Sequence, residues 1–259
     1  MIKIFKIIIL MGLVFIPGLS SASSIDVGIA PVWWQYKEIS GKLAGYATTP
    51  LRSSAQGLGA EVSVKWTQEL QDVWVLETGW KGILPLTQGK ESWNLGNGVQ
   101  TNSLNVVQSE VRLDVLRKLS LADIGLWSSY QWHQQSRKHF VVNNVLKNTG
   151  LIRETVQSIW AGLELQSAAN SGLFYMRLEA ALPVWVNVKN TAVADVFNKR
   201  SGYRLGADTR FQLPWQGSYE KLSLIAAYQY RELGNDLKTT ALWPKNRWQT
   251  VSLGINLTW

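Results

Sequence analysis

His133 is one of only two histidines in the 259-residue chain, and Glu110 and Ser158 lie on the alternating segments to either side of it. A serine, a histidine and a carboxylate can act as nucleophile, base and orienting group. The three meet only if their segments are neighbouring strands with matching registers. The same residue types also populate any hydrogen-bonded interior, so Glu110, His133 and Ser158 form a weak catalytic candidate. Metal chemistry has less to work with. Cysteine is absent, two histidines are few, and no carboxylates have ligand spacing. Nothing in the sequence calls for a cofactor.

The elements that would position these groups read as ten segments of period-two hydrophobicity, at 26–36, 57–67, 73–84, 105–116, 124–135, 155–166, 172–184, 203–213, 221–231 and 248–259. In a strand, successive side chains point to opposite faces, so each segment has one apolar and one polar side. The links alternate in length. Short ones fall at 69–72, 119–123, 167–171 and 215–219, and long ones at 37–55, 85–104, 136–154, 185–202 and 232–247. The expected fold is all-β: a transmembrane antiparallel up-and-down barrel of about ten strands, with short periplasmic turns and five long extracellular loops.

The last segment sets Val251, Leu253, Ile255, Leu257 and Trp259 against Ser252, Gly254, Asn256 and Thr258. A terminal aromatic on such a strand resembles the assembly signal of bacterial outer-membrane β-barrels. That resemblance implies insertion by the barrel-assembly machinery of a Gram-negative envelope. Aromatics near segment ends fit the two girdles of such a barrel. Trp33, Trp132, Trp185 and Trp248, with Trp34, are expected at the outer interface, and Trp66, Trp74, Trp215 and Trp259 at the periplasmic one. Trp93 and Trp243 fall in long links, where aromatic rings could serve as a sugar platform.

The N-terminus has the layout of a secretory signal peptide. Lys3 and Lys6 precede the apolar run from Ile7 to Ile16, Pro17 and Gly18 break it, and Ser20-Ser21-Ala22 supplies small residues for cleavage. A bilayer-spanning helix needs about 20 apolar residues. Residues 1–22 are therefore expected to be removed and 23–259 to form one barrel domain. Cleavage takes away two lysines, so the net charge falls from +8 to +6.

The faces opposite the apolar ones carry matched charges. The acids are Glu61, Glu77, Glu110, Asp114, Glu164, Glu179 and Asp208, and the bases are Lys65, Lys81, Arg112, Arg177, Arg204, Arg210 and Arg231. Small barrels have interiors that side chains just fill. Balanced charges in so narrow a space suggest a plugged lumen, whereas a selective pore would show a ring of one sign. The long links hold about fourteen bases against six acids. Basic loops suit the phosphates of lipopolysaccharide. No basic stripe with interleaved aromatics points to nucleic acid.

Ten strands are also the count of the omptin proteases. That family needs paired aspartates and an Asp–His pair at the outer rim, and no corresponding pairs occur around His139. Outer-membrane lipid hydrolases carry His-x-Ser on a strand. Here His133-Gln134-Gln135-Ser136 is one residue longer, which puts the two groups on opposite faces. The resulting expectation is a monomeric outer-membrane barrel with a structural or surface-binding role, in contact with outer-membrane lipid and lipopolysaccharide. A narrow porin-like channel is the transport alternative, and a lipid- or peptide-hydrolysing barrel the enzyme alternative.

Overall fold

The computed structural model describes residues 23–39, 52–70, 73–94, 98–167, 173–198, 201–214, 221–234 and 245–259. The expected signal segment 1–22 and Trp215 and Trp243 lie outside them. Thirteen strands run in chain order: β1 (Ser23–Ile39), β2 (Arg52–Leu70), β3 (Trp74–Pro85), β4 (Gly89–Asn94), β5 (Val99–Arg117), β6 (Ala122–Val142), β7 (Val145–Asn148), β8 (Ile152–Ser167), β9 (Phe174–Asn190), β10 (Val193–Asn198), β11 (Gly202–Gln212), β12 (Lys221–Leu233) and β13 (Lys245–Thr258). All pairings are antiparallel, and β13 closes on β1.

The thirteen strands build ten staves, as the alternation predicts. Three staves are interrupted. β3 and β4 succeed one another between the same neighbours, β2 and β5. β7 precedes β8 along β6, and β10 precedes β11 along β9. The links 85–104, 136–154 and 185–202 are therefore not irregular loops. They are hairpins that lengthen the barrel wall. One of them turns at Asn143 and Asn144, with φ of 48° and 66°. This is the left-handed pair that a tight two-residue hairpin needs, and asparagine tolerates it.

Register fixes the shape. Paired residues run Ser24, Thr67, Glu77, Asp114, Trp127, Gly162, Ala181, Arg204, Arg231, Trp248 and Tyr36. One circuit thus returns to β1 twelve residues further along. With ten strands this stagger gives a tilt of roughly 40° and a radius of roughly 10 Å. Long side chains from opposite walls meet at the axis of so narrow a tube.

The strands are longer than the expected segments. β6 has 21 residues, whereas about 9–11 span a bilayer. The extra length lies at the outer end, and the polarity of both faces changes there. Outward residues of β1 run Ile25, Ile29 and Trp33, then Lys37, and those of β8 run Leu165, Leu163 and Ile159, then Arg153. The barrel therefore has a lower part wrapped in an apolar band and an outer part, the cap, with a polar outside.

Candidate functional site in the lumen and cap

The lower lumen holds the predicted charge network. Glu61, Lys65, Glu110, Arg112, Asp114, Glu164, Arg177, Glu179, Arg204, Asp208, Arg210 and Arg231 all point inward, because each has the strand parity opposite to the exposed apolar residues beside it. Arg112 is the hub, bonded to Asp114 at 2.6 Å, to Glu164 at 2.5 Å and to Glu179. Arg204 joins Glu110 at 2.6 Å and Glu179 at 3.1 Å. Both guanidinium groups lie over the indole of Trp127, at 4.1 and 4.8 Å. Arg177 holds Asp208 at 2.5 Å, and Lys65 holds Glu77 at 2.8 Å. Lys81 and Glu61 pair loosely at 3.9 Å. Asp26 was not expected in the network, yet it takes Arg210 at 3.0 Å and Lys65 at 3.4 Å. Arg231 donates to Gln131 rather than to a carboxylate.

A polar cavity of about 150 Å³ remains beside this network. It lies against the half of the wall lined by the small residues Ser63, Gly206, Ala227 and Ser252. It is polar and roomy enough to hold water.

The Glu110–His133–Ser158 trio does not assemble. Glu110 and Ser158 both pair in register with Gln131, which stands between them, while His133 lies one inward position further out, opposite Gln108 and Val156. Ser158 Oγ accepts from Trp160 Nε1 at 2.8 Å, Glu110 is bound by Arg204, and His133 Nε2 lies 3.2 Å from Gln135 Nε2. His133 also sets its edge on Trp248, with centroids 4.8 Å apart. Each residue is committed to a separate partner.

Above the network the lumen turns apolar. Trp34 and Trp248 stack with centroids 5.4 Å apart, and Tyr36, Ala55, Leu104 and Val106 surround them. A Cβ on Gly57 or Gly89 would stand 2.5 Å from the Trp34 ring, so two glycines form its slot. Across the lumen, Val156, Trp160, Val186, Val188 and Leu233 belong to a second cluster. Trp248 was expected at the membrane interface, but it is fully buried inside, as is Trp34. The reason is parity: both are even-numbered neighbours of odd-numbered outward runs. Trp33, Trp74 and Trp259 are exposed on the outside, and Trp66, Trp132 and Trp185 are half-buried there.

The cap closes with a second charged cluster that the sequence reading missed. Arg137 from β6 reaches Glu91 on β4 at 2.7 Å, Glu38 on β1 at 3.1 Å and Glu154 on β8 at 3.4 Å. Tyr36 donates to Glu38 at 2.6 Å, and Asn102 donates to Glu91 at 2.8 Å. One guanidinium thus ties four staves across the mouth. Burial alone would raise Glu91, but Arg137 and the bonds from Asn102 and Ser53 outweigh it and hold this carboxyl below its ordinary range. Burial pushes Glu154 up, Arg137 pulls it back, and Glu38 and Glu91 raise it again, leaving it at about 8.

The outside of the cap is basic. Lys37, Arg52, Lys90, Lys138, Arg153 and Lys189 are exposed, and none forms an ion pair among the described residues. Lys245 and Arg247 share Glu232, at 2.6 and 2.8 Å.

No protein-family model and no curated protein sequence matches the chain. Among solved structures, the outer membrane protease OmpT from Escherichia coli is similar at 11% identity, covering 93% of this chain and 99% of that one with a TM-score of 0.62. The translocator domain of the autotransporter NalP from Neisseria meningitidis aligns at 11% identity over 98% and 94%, with a TM-score of 0.37. The Neisserial surface protein A aligns at 9% identity over 91% and 97%, with a TM-score of 0.28. The fold is that of the small outer-membrane β-barrels, in a ten-stranded form.

Proposed function

We propose that this chain is an integral protein of a Gram-negative outer membrane, whose sealed barrel presents a binding surface to the outer leaflet. The single observation that carries the reading is a group of six exposed bases on the outside of the cap, just beyond the apolar band, none of which forms an ion pair among the described residues. Nearly every base in the lumen has a carboxylate, whereas these six face outward without one. Lipopolysaccharide places phosphates at that height, and a basic side chain near an anionic lipid surface contributes about 1 kcal/mol. The apolar cap core and the Arg137 cluster support a closed lumen, so the role is structural or surface-binding rather than transport. Trp259 and the apolar face of β13 would be read by the assembly machinery after removal of residues 1–22, and the finished barrel would act as a monomer.

Two measurements test this. Purified protein in a planar bilayer should pass no steady ion current. It should also retain lipopolysaccharide through detergent exchange, and a variant with Lys138, Arg153 and Lys189 all changed to Glu should lose it, as should wild type in high salt. A steady conductance, or undiminished retention by the triple variant, would count against the reading.

A further inference from the structure

His139 is one of three non-glycine residues with positive φ among the described residues, and the other two form the hairpin turn. A histidine at φ 56° is uncommon, and such strain concentrates where a side chain is aimed for use. It sits where the β5–β6 register slips, between Thr101 and Ser103. Ser103 Oγ donates to the Lys138 carbonyl at 3.1 Å and lies 3.4 Å from His139 Nδ1. A bulge of this kind bends its strand and sharpens the local twist. The outer wall carries a groove there of about 460 Å³, within the range of small-molecule sites.

The lining is selective in its chemistry. Lys90 comes from β4, Thr101 and Ser103 from β5, His139 and Val141 from β6, and Asn144 from the turn. Among the described residues no carboxylate lines it. Lys90 forms no ion pair among the described residues, so its ammonium is available as a point charge for an anion. The hydroxyls, the amide and the imidazole are donors and acceptors for a ligand rich in hydroxyl groups. A simple anion would use the lysine and leave the rest idle. A neutral sugar would leave the lysine unmatched.

We propose that the groove between β4, β5 and β6 is a binding site for a phosphorylated sugar. This rests on the reading that the cap stands among lipopolysaccharide headgroups, whose core carries such sugars. A soluble sugar phosphate offers the same chemistry, and the test separates the two sources.

The experiment uses the full chain in detergent micelles, titrated with glucose 6-phosphate, glucose, inorganic phosphate, and lipopolysaccharide with and without core phosphates. Lys90→Ala should weaken glucose 6-phosphate and phosphorylated lipopolysaccharide about tenfold, the size of a lost charge-assisted bond. His139→Asn should weaken both severalfold, and asparagine accepts the left-handed backbone, so the wall keeps its shape. Lys221→Ala, outside the cap at the start of β12 on the opposite side of the barrel, should change neither affinity.

Equal binding of glucose and glucose 6-phosphate overturns the site, as does inorganic phosphate binding as tightly as the sugar phosphate. Equal losses from Lys221→Ala and Lys90→Ala also overturn it, because they would mean diffuse charge. If wild type retains no lipopolysaccharide but binds glucose 6-phosphate through Lys90, the groove stands with a soluble ligand and the reading of the whole cap fails. If lipopolysaccharide is retained and neither Lys90→Ala nor His139→Asn affects any ligand, that reading stands and the groove falls.

Discussion

On β13, Leu257, Ile255, Leu253 and Val251 face outward while Asn256, Ser252 and Thr250 face inward. Two residues higher the rule reverses, with Gln249 and Arg247 outside and Trp248 fully buried inside. β9 makes the same change from Leu178 and Leu182 outside to Val186 and Val188 inside. One tube therefore has two solvents. In its lower part lipid receives the apolar side chains, and the charges gather around water and one another. In the cap, water lies outside, so apolar burial must happen within, as in a soluble barrel. The lower part gains stability from closed hydrogen bonding in lipid, and the cap from a core. The cap is thus a small soluble-type domain drawn from the same strands.

The largest expected effect breaks the cap at its tie. Arg137→Ala leaves the Glu91 carboxylate buried without its cation and removes the bonds to Glu38 and Glu154, which should cost roughly 3–5 kcal/mol. Arg177→Ala in the lower lumen removes the partner of Asp208, but these two side chains keep 18% and 14% of their exposure beside a cavity large enough for water. Water can replace the missing bonds there, so about 1–2 kcal/mol is expected. Thermal unfolding in detergent compares the two. Equal losses would mean the two regions do not differ in hydration, and an altered single-channel current in Arg177→Ala would revive the pore.

The lower part was legible because one phase of alternation runs unbroken through it, and inward charges such as Arg112, Glu179 and Arg204 sit on the opposite parity. The cap was harder to read for two physical reasons. First, the register slips between Ile159 and Trp160 on β8, with Trp185 and Pro183 opposite. Even-numbered apolar residues thus continue along β9 from Leu182 to Val188 while their facing direction changes. Second, charged and polar residues beyond Gln135 read as loop, although Arg137 keeps the inward parity of His133 and Gln135. Two signals were present. Trp248 has the wrong parity for the Val251–Trp259 face, and Asn143-Asn144 between Val141-Val142 and Val145-Leu146 is a hairpin signature. No sequence signal marked Glu38, Glu91 and Glu154 as neighbours, because they come from three staves.

A smaller effect sharpens the contrast within one strand. Trp248→Leu shrinks a side chain that stacks on Trp34 and meets His133, and should cost about 2 kcal/mol through the cavity it opens. Leu253→Ala, five residues away, trims a side chain 64% exposed on the outside. Lipid fills that space as well as leucine did, so the change should stay below about 1 kcal/mol. Denaturant unfolding followed by tryptophan fluorescence measures both. A Leu253→Ala loss equal to that of Trp248→Leu would remove the distinction between a lipid-facing and a core-facing row.

A further effect is a pH dependence of the cap. Glu154 is held at about 8 against an ordinary 4.5. Below about 4.5 the carboxyl is protonated in folded and unfolded chains alike. Between 4.5 and 8 the unfolded chain has released this proton and the folded cap still holds it. The unfolded state then binds fewer protons, so stability falls as pH rises through that window and levels off above it. Glu154→Gln keeps the neutral shape and removes the titration. The variant should match wild type near pH 5, exceed it near pH 8.5, and show a flatter melting profile between. A wild-type melting temperature that rises from pH 5 to 8.5, with Glu154→Gln following it in parallel, would mean that Glu154 is ionised throughout and that Arg137 alone sets the charge of the cap.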